Sequence, residues 1–394
     1  MKHSSVTYYP VDNGAMALLQ LNDNNRTTIL IDMHIRAAAD DPNDDKFDAA
    51  THLRDQLKQD SDGRPYVDVF LLSHNDDDHI KGLRNHFHLG SLDDYSEPKD
   101  DDPWPIVVHE IWGTSRFWTR SSKSNKLCDD AKAFNKEMKR RTELYRESGS
   151  LQDSGDRVLI LGADPDGKTD GLEGIVQDIG TEFSIVNGIQ HSGKLSIKLM
   201  GPLEQQDDEE DDDFKKANRG SAIVQLSIVE RSLYSSYSNQ LIFAGDAEVL
   251  VWESLWSLYG RHEWLEYDLL LAPHHCSWRS LSWDSESDCD NPQLSTDASQ
   301  ALGQSKDGAH IISSSKPIYD DGATPPSILA KQEYCRIIDS EERFLCTAEI
   351  PTEEEPQPIV FNLTSNGPQL CPQKSLPRTS AVATAATGSS FPHG

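Results

Sequence analysis

Apolar positions along this chain fall in short bursts of strand length, separated by longer polar stretches. The first three are Val6-Thr7-Tyr8-Tyr9, Met16-Ala17-Leu18-Leu19-Gln20-Leu21 and Thr27-Thr28-Ile29-Leu30-Ile31-Asp32, with Asp23-Asn24-Asn25 as hairpin chemistry between the last two. Further bursts occupy 67–72, 105–112, 157–162, 195–202, 218–224, 241–244, 268–272, 309–315, 344–347 and 358–363. Helix-favouring sequence fills 47–57, 126–146 and 327–337. Strands and helices mixed through both halves predict an α/β (α+β) architecture.

One of these strands ends in chemistry. Val67-Asp68-Val69-Phe70-Leu71-Leu72 runs directly into Ser73-His74-Asn75-Asp76-Asp77-Asp78-His79, two imidazoles and three carboxylates at the point where open α/β sheets place their sites. Carboxylates so close repel one another and raise each other's pKa, a conflict that a divalent cation removes. His74 and Asp76, two apart, can face the same side of an extended segment, and Asp78 and His79 reach a second point after a turn. That spacing suits two metals better than one. The plainer alternative is a solvated acidic loop, for Asp runs recur in this chain; the two histidines and the preceding buried strand favour metal.

A second segment of the same kind lies in the other half. Leu241-Ile242-Phe243-Ala244-Gly245-Asp246 is a buried strand ending in Gly-Asp, a pairing common in ordinary turns. Its weight comes from the next strand, Asp268-Leu269-Leu270-Leu271-Ala272, which runs into Pro273-His274-His275-Cys276-Ser277. A buried strand leading straight to His-His is rare by chance.

These motifs carry a resemblance. His74-x-Asp76-x-Asp78-His79 resembles the His-x-His-x-Asp-His signature of the metallo-β-lactamase superfamily, in the variant with aspartate at the second ligand position. That variant is similar to the hydrolase domain of ComEC-like competence proteins and to bacterial phosphorylcholine esterases. The opening strand, the loop Val11-Asp12-Asn13-Gly14 and a third strand ending in Ile31-Asp32 resemble the same branch, as does Asn218-Arg219-Gly220-Ser221 before a core strand. The departures are Met33-His34 where the family has Gly, Gly82 alone where it shows two glycines, Cys276 where it has Gly, and 319–326 without the family's His. Asp32 is accordingly read as support for the site rather than a ligand, and His34 as an ordinary loop residue. A Cys276 thiolate could ligate, or its Cβ could simply be tolerated.

The resemblance implies a four-layer αββα sandwich over about residues 5–365, with the metals at one edge between the two sheets. It implies His74, Asp76 and a bridging Asp246 for one metal, and Asp78, His79, Asp246 and His275 for the other. It leaves His274 facing the substrate as proton donor, with Asp78 and His274 the catalytic pair, although one sequence does not decide which of His274 and His275 ligates. A donor set so rich in oxygen fits two divalent ions, Zn²⁺ first, with Mn²⁺ or Fe²⁺ less excluded than at an all-histidine site. The nucleophile expected is a hydroxide bridging the metals.

Composition narrows the substrate. The 394 residues are 36% hydrophobic and carry a net charge of −29, with a mean hydropathy of −0.61. A core is affordable if loops are long and polar, and we read residues 1–371 as one hydrolase domain with acidic insertions near 84–104 and 203–214, followed by a disordered tail, 372–394. So negative a chain does not coat nucleic acid or anionic membrane. Charge reverses only near 116–148, where Arg116, Arg120, Lys123, Lys126, Lys132, Lys136, Lys139, Arg140, Arg141 and Arg146 form a basic helical insertion. That segment is either a cap attracting an anionic substrate or an ordinary amphipathic helix with Phe134, Met138 and Tyr145 inward. His109 is read as a packing residue.

The six cysteines show no CxxC spacing, and neither an apolar leader nor a run of 18 apolar residues occurs, so the expectation is a cytoplasmic protein with free thiols and no membrane partner. The leading expectation is a phosphodiesterase or nuclease acting on a small phosphoester or short nucleic acid, with the acidic surface as the face for any protein partner. Hydrolysis of an ester, thioester or lactone is the alternative within the fold. A regulatory protein holding metal without turnover is the alternative outside it.

Overall fold

The computed structural model describes residues 3–37, 44, 46–99, 102–118, 127–203, 220–260, 263–322 and 324–372. Strands β1 (Ser4–Tyr8), β2 (Ala17–Gln20) and β3 (Thr28–Ile31) form an antiparallel meander, followed by β4 (Met33–His34), α1 (Ala49–Gln56), β5 (Lys58–Gln59) and β6 (Pro65–Leu71). One-turn helices α2 (Asp77–Ile80) and α3 (Leu83–His86) lead to β7 (Val107–Thr114), α4 (Asp129–Ser148) and β8 (Arg157–Leu161). Four short strands follow: β9 (Val176–Gln177), β10 (Thr181–Phe183), β11 (Ile185–Val186) and β12 (Ile189–Gln190). Then come β13 (Leu195–Gly201), β14 (Ile223–Arg231), β15 (Ser236–Phe243), α5 (Val249–Tyr259) and β16 (Tyr267–Leu271). The last elements are α6 (Thr296–Leu302), β17 (Ser305–Ser313), α7 (Ile328–Ile337), β18 (Phe344–Cys346), β19 (Ile359–Thr364) and β20 (Gly367–Leu370).

The fold is mixed α/β, with two large mixed sheets. One runs β20-β19-β1-β2-β3-β6-β7-β8-β9, with β5 on β6, and the other β10-β13-β14-β15-β16-β17-β18. Apolar residues of both sheets share one core: Val6, Leu19, Ile29, Val69 and Trp112 from the first meet Ile197, Leu226, Leu241, Leu269 and Ile312 from the second. The pleat sends alternate residues the other way. Leu18, Leu30 and Phe70 turn outward to the side where Ala50, Leu53, Phe134 and Met138 of α1 and α4 pack. Ile242, Leu270 and Ile311 turn outward to Trp252, Leu255, Ala298 and Tyr334 of α5, α6 and α7. Burial on both faces explains why β6 and β16 read as continuous apolar runs rather than alternating ones.

Both sheets contain a parallel block, β3-β6-β7-β8 in one and β15-β16-β17-β18 in the other. Parallel strands end on the same edge. The loops after β3, β6, β15, β16 and β17 therefore gather at one rim.

Several expectations change. The stretch near 84–104 is more than a solvated loop: it holds α3 and a turn of 3-10 helix at Leu92–Asp94, and Phe87 is buried against Phe70 at 6.2 Å. Residues 163–194 contain the four short strands β9 to β12. The bursts at 344–347 and 358–363 enter different sheets, β19 returning to pair with β1. Helices α5 and α6 were not anticipated.

The basic helix begins at Asp129, capped by the Cys128 thiol, and ends at Gly149 in the left-handed region. Its cations are largely spent. Arg141 is buried and bonds Glu137 and the carbonyls of Val108, His109 and Arg157, while Arg140 pairs with Glu137 and Asp156. Lys132 and Arg146 pair with Asp129 and Glu143. Arg120, Lys123 and Lys126, the acidic run 205–213 and the tail beyond 372 lie outside the described residues. All six cysteines are free thiols. No helix among the described residues is long and apolar enough to cross a membrane.

Candidate metal centre

Asp246 stands at the middle of the rim, and its two carboxylate oxygens face different neighbours. Oδ1 lies 3.0 Å from His79 Nε2 and 3.6 Å from His275 Nε2, and Asp78 Oδ2 closes that group at 3.2 Å from His275 Nε2. Donor atoms of Asp78, His79, Asp246 and His275 all lie within 4.8 Å of one another, a set that could hold a metal ion. Oδ2 instead faces His74 Nε2 at 3.4 Å and His274 Nε2 at 3.7 Å. Asp76 Oδ2 is 3.7 Å from His74 Nε2, and its side chain is half exposed. It is the outermost of the carboxylates expected to ligate.

The backbone that holds these groups is specialised. Gly245 has a φ of +50°, and a Cβ there would fall 2.7 Å from Ser73 Oγ and 3.2 Å from His74 Nδ1, so both its conformation and its space demand glycine. His274, His275 and Cys276 are three successive non-glycine residues at φ 50°, 52° and 64°, a rare strained turn that points the two imidazoles to different oxygens of Asp246. The His274 amide donates to Gly245 O at 3.1 Å, and the Ala222 amide to Ser73 O at 2.8 Å. The first bond links the two motif loops of the second sheet, and the second ties that sheet to the loop after β6.

Hydrogen bonding fixes which ring nitrogen carries each proton. Asp32 Oδ2 accepts from His79 Nδ1 at 2.9 Å and from Ser73 Oγ at 2.7 Å, and Oδ1 accepts from the Ser73 amide at 2.7 Å. A carboxylate only accepts, so His79 Nδ1 is the N–H. With its single proton given to Asp32, Ser73 Oγ accepts from His74 Nδ1 at 3.1 Å. His275 Nδ1 lies 3.0 Å from the carbonyl of Ser314, which likewise accepts only. All three imidazoles therefore turn Nε2 toward Asp246. Fixing the tautomer from behind in this way is how proteins orient histidine ligands.

The charges are tightly coupled. Burial would push the His79 imidazole down, but the carboxylates of Asp246 and Asp32 outweigh it and hold its pKa well above the usual value. Burial would raise Asp246, but His79, His74 and His275 hold it well below the carboxylate range. Asp78 is also held low against burial, chiefly by its contact with His275. Among the described residues, buried Asp246 Oδ1 and His74 Nε2 nevertheless have no hydrogen-bond partner despite their near neighbours. With the His79 Nε2 proton displaced, lone pairs converge here on shared points, and that fits a cation.

The rim brings together His74, Asp78, His79, Asp246, His274 and His275, with Asp76 at its edge. Cys276 stands apart: its Sγ is buried, faces Ser327 O at 3.8 Å, and burial raises its pKa far above that of a free thiol. His109 is remote from the rim, stacked on Tyr66 at 4.1 Å with Nδ1 3.8 Å from Asp68. His34 is buried, with Nδ1 bonded to Val11 O at 2.8 Å. Glu248 was overlooked. Its Oε1 lies 3.7 Å from His274 Nδ1, and burial raises its carboxyl to about 7. The support from Ser314 was also overlooked, and because it comes from a backbone carbonyl no residue type announces it.

No family model, curated protein or solved structure matches this chain.

Proposed function

We propose that this protein is a metal-dependent phosphodiesterase or nuclease of metallo-β-lactamase type, its two sheets and flanking helices forming the four-layer αββα sandwich of that superfamily. The observation that carries this reading is the division of Asp246, with Oδ1 on the Asp78, His79 and His275 side and Oδ2 on the His74 and His274 side. One carboxylate shared between two groups of lone pairs is what a dinuclear centre requires. Divalent ions there, Zn²⁺ foremost, would neutralise charge on the scissile group and lower the pKa of water.

The chain's own residues do the rest. Asp32, Ser73 and Ser314 hold three imidazoles in the donor tautomer. Asp76, Asp78 and Asp246 supply carboxylate donors, and His274 stands at the open side of the centre with its side chain one-fifth exposed. There it serves as proton donor to the leaving group, with Glu248 Oε1 3.7 Å from its Nδ1. The substrate is a small phosphoester or a short nucleic acid, since the net charge of −29 disfavours long duplexes.

The test is hydrolysis of bis-p-nitrophenyl phosphate by purified protein with added Zn²⁺ or Mn²⁺. Turnover that is lost in Asp246→Asn supports the reading. Metal-loaded protein without turnover would move the assignment to esters and thioesters.

A further inference from the structure

We infer that Asn13 is a positioning residue of the metal centre, the clasp by which the loop between β1 and β2 fixes Asp78 and His275 relative to each other. The inference rests on the metal centre proposed above and extends it to a segment that supplies no donor.

Three consecutive residues of this loop bond both halves of the rim. Asn13 Oδ1 accepts from the Lys316 amide at 2.9 Å, and its Nδ2 donates to Pro325 O at 2.9 Å. Gly14 O accepts from Ser314 Oγ at 2.6 Å, and the Ala15 amide donates to Asp78 O at 3.0 Å. Ser314 and Lys316 follow β17, whereas Asp78 lies in α2.

These bonds bear on two donors. The Ser314 whose hydroxyl is tied to Gly14 is the residue whose carbonyl holds His275 Nδ1 at 3.0 Å. Asp78 belongs to a one-turn helix, and the carbonyls that end a helix have no partner inside it. The Ala15 amide takes the carbonyl of Asp78, fixing the turn from which its Oδ2 meets His275 Nε2 at 3.2 Å. Both residues are members of the four-donor group around Asp246.

The loop is also held from the β4 side. His34 Nδ1 donates to Val11 O at 2.8 Å, and its ring fills the space beside Gly14, where a Cβ would fall 2.0 Å from Nδ1. Position 13 then needs a donor and an acceptor on one short side chain, and asparagine supplies both. Alanine there leaves the Lys316 amide and the Pro325 carbonyl without these partners.

The experiment uses the full chain as wild type, Asn13→Ala, Ser314→Ala, the double variant and Asp12→Asn. Asp12, in the same loop, pairs with Arg36 and has a φ of 59° that asparagine accepts, so Asp12→Asn is the control. Zinc affinity is read by competition with a chromogenic chelator, donor geometry by the visible spectrum of the cobalt(II)-loaded protein, and folding by thermal melting. Asn13→Ala and Ser314→Ala are each expected to weaken zinc binding about tenfold and to shift the cobalt bands. The double variant is expected to lose no more than the larger single loss, because both act through one loop. Asp12→Asn is expected to match the wild type. If Asn13→Ala loses its cooperative melt, Ser314→Ala, which keeps the carbonyl bonded to His275, carries the comparison. Unmoved affinity and spectrum in both single variants, with or without a lower melting temperature, would overturn the inference and leave the centre standing. An equal change in Asp12→Asn, or a double variant whose loss is the product of the two, would also overturn it. A wild type that binds no zinc would remove the centre and the inference together. Zinc binding that depends on Asn13 in a protein that hydrolyses no diester would keep the inference and remove the phosphodiesterase reading.

Discussion

His79 Nδ1 donates to Asp32 Oδ2 across 2.9 Å, and the same oxygen accepts from Ser73 Oγ at 2.7 Å. Asp32 itself adopts a φ of 51°, a conformation that Asp and Asn accept more readily than other side chains. Asp32→Asn therefore keeps the backbone but turns an acceptor into a group that can donate, releasing His79 from its tautomer. Zinc affinity is expected to fall by roughly 10- to 100-fold while the melting temperature moves little. Competition with a chromogenic chelator measures it, and unchanged affinity would separate Asp32 from the centre.

Removing the donors themselves is more severe. Asp246→Asn and His79→Ala are each expected to abolish diester hydrolysis and lower the bound metal, because each withdraws an atom from the four-donor set. Full activity with full metal content in either variant would show that the centre lies elsewhere.

Gly245→Ala tests the backbone. The left-handed φ and the 2.7 Å approach to Ser73 Oγ together are expected to cost about 2–4 kcal/mol. Urea unfolding reads the loss, and because the added methyl also presses on His74, metal affinity is expected to fall with it. A neutral substitution would mean the rim is looser than these contacts imply.

Proton exchange gives a further check. Asp246 and Asp32 hold the His79 pKa well above its ordinary value, so the metal-free protein still carries the imidazolium proton at neutral pH. A cation must displace it. Zinc binding is expected to release protons near pH 7 and to tighten as pH rises toward that pKa, as calorimetry in buffers of different ionisation enthalpy would show. Binding without proton release would contradict this charge arrangement.

Away from the centre, burial pushes the Glu137 carboxyl up, but Arg140 and Arg141 outweigh it and hold its pKa at about 2, against an ordinary 4.5. A depressed carboxylate stabilises the fold above its unfolded pKa, and that stability drains away as pH falls from about 4.5 to about 2. Wild type is expected to lose about 3 kcal/mol more than Glu137→Gln over this window, measured by urea unfolding.

Much of the centre was legible because its chemistry is dense in sequence. His74 to His79 crowds donors behind a buried strand, and Gly245-Asp246 and His274-His275 each follow another. What escaped the sequence are contributions without a residue signature. Ser314 acts through its backbone carbonyl, and Glu248 looks like any helix-start acid until His274 is set beside it. In the fold, α5 was missed because Val249-Leu250-Val251-Trp252 is apolar on every side, and a short apolar run does not separate helix from strand. The basic helix showed its charges but not their partners, for pairs such as Arg140 with Asp156 join residues far enough apart that no helical spacing reveals them.

The most direct test of the account is elemental analysis of purified protein after zinc loading and gel filtration, for wild type and Asp246→Asn side by side. A dinuclear centre bridged by Asp246 predicts about two metals per chain in the wild type and a clear loss in the variant. A wild type that retains no metal, or an Asp246→Asn variant that retains as much as the wild type, would contradict it.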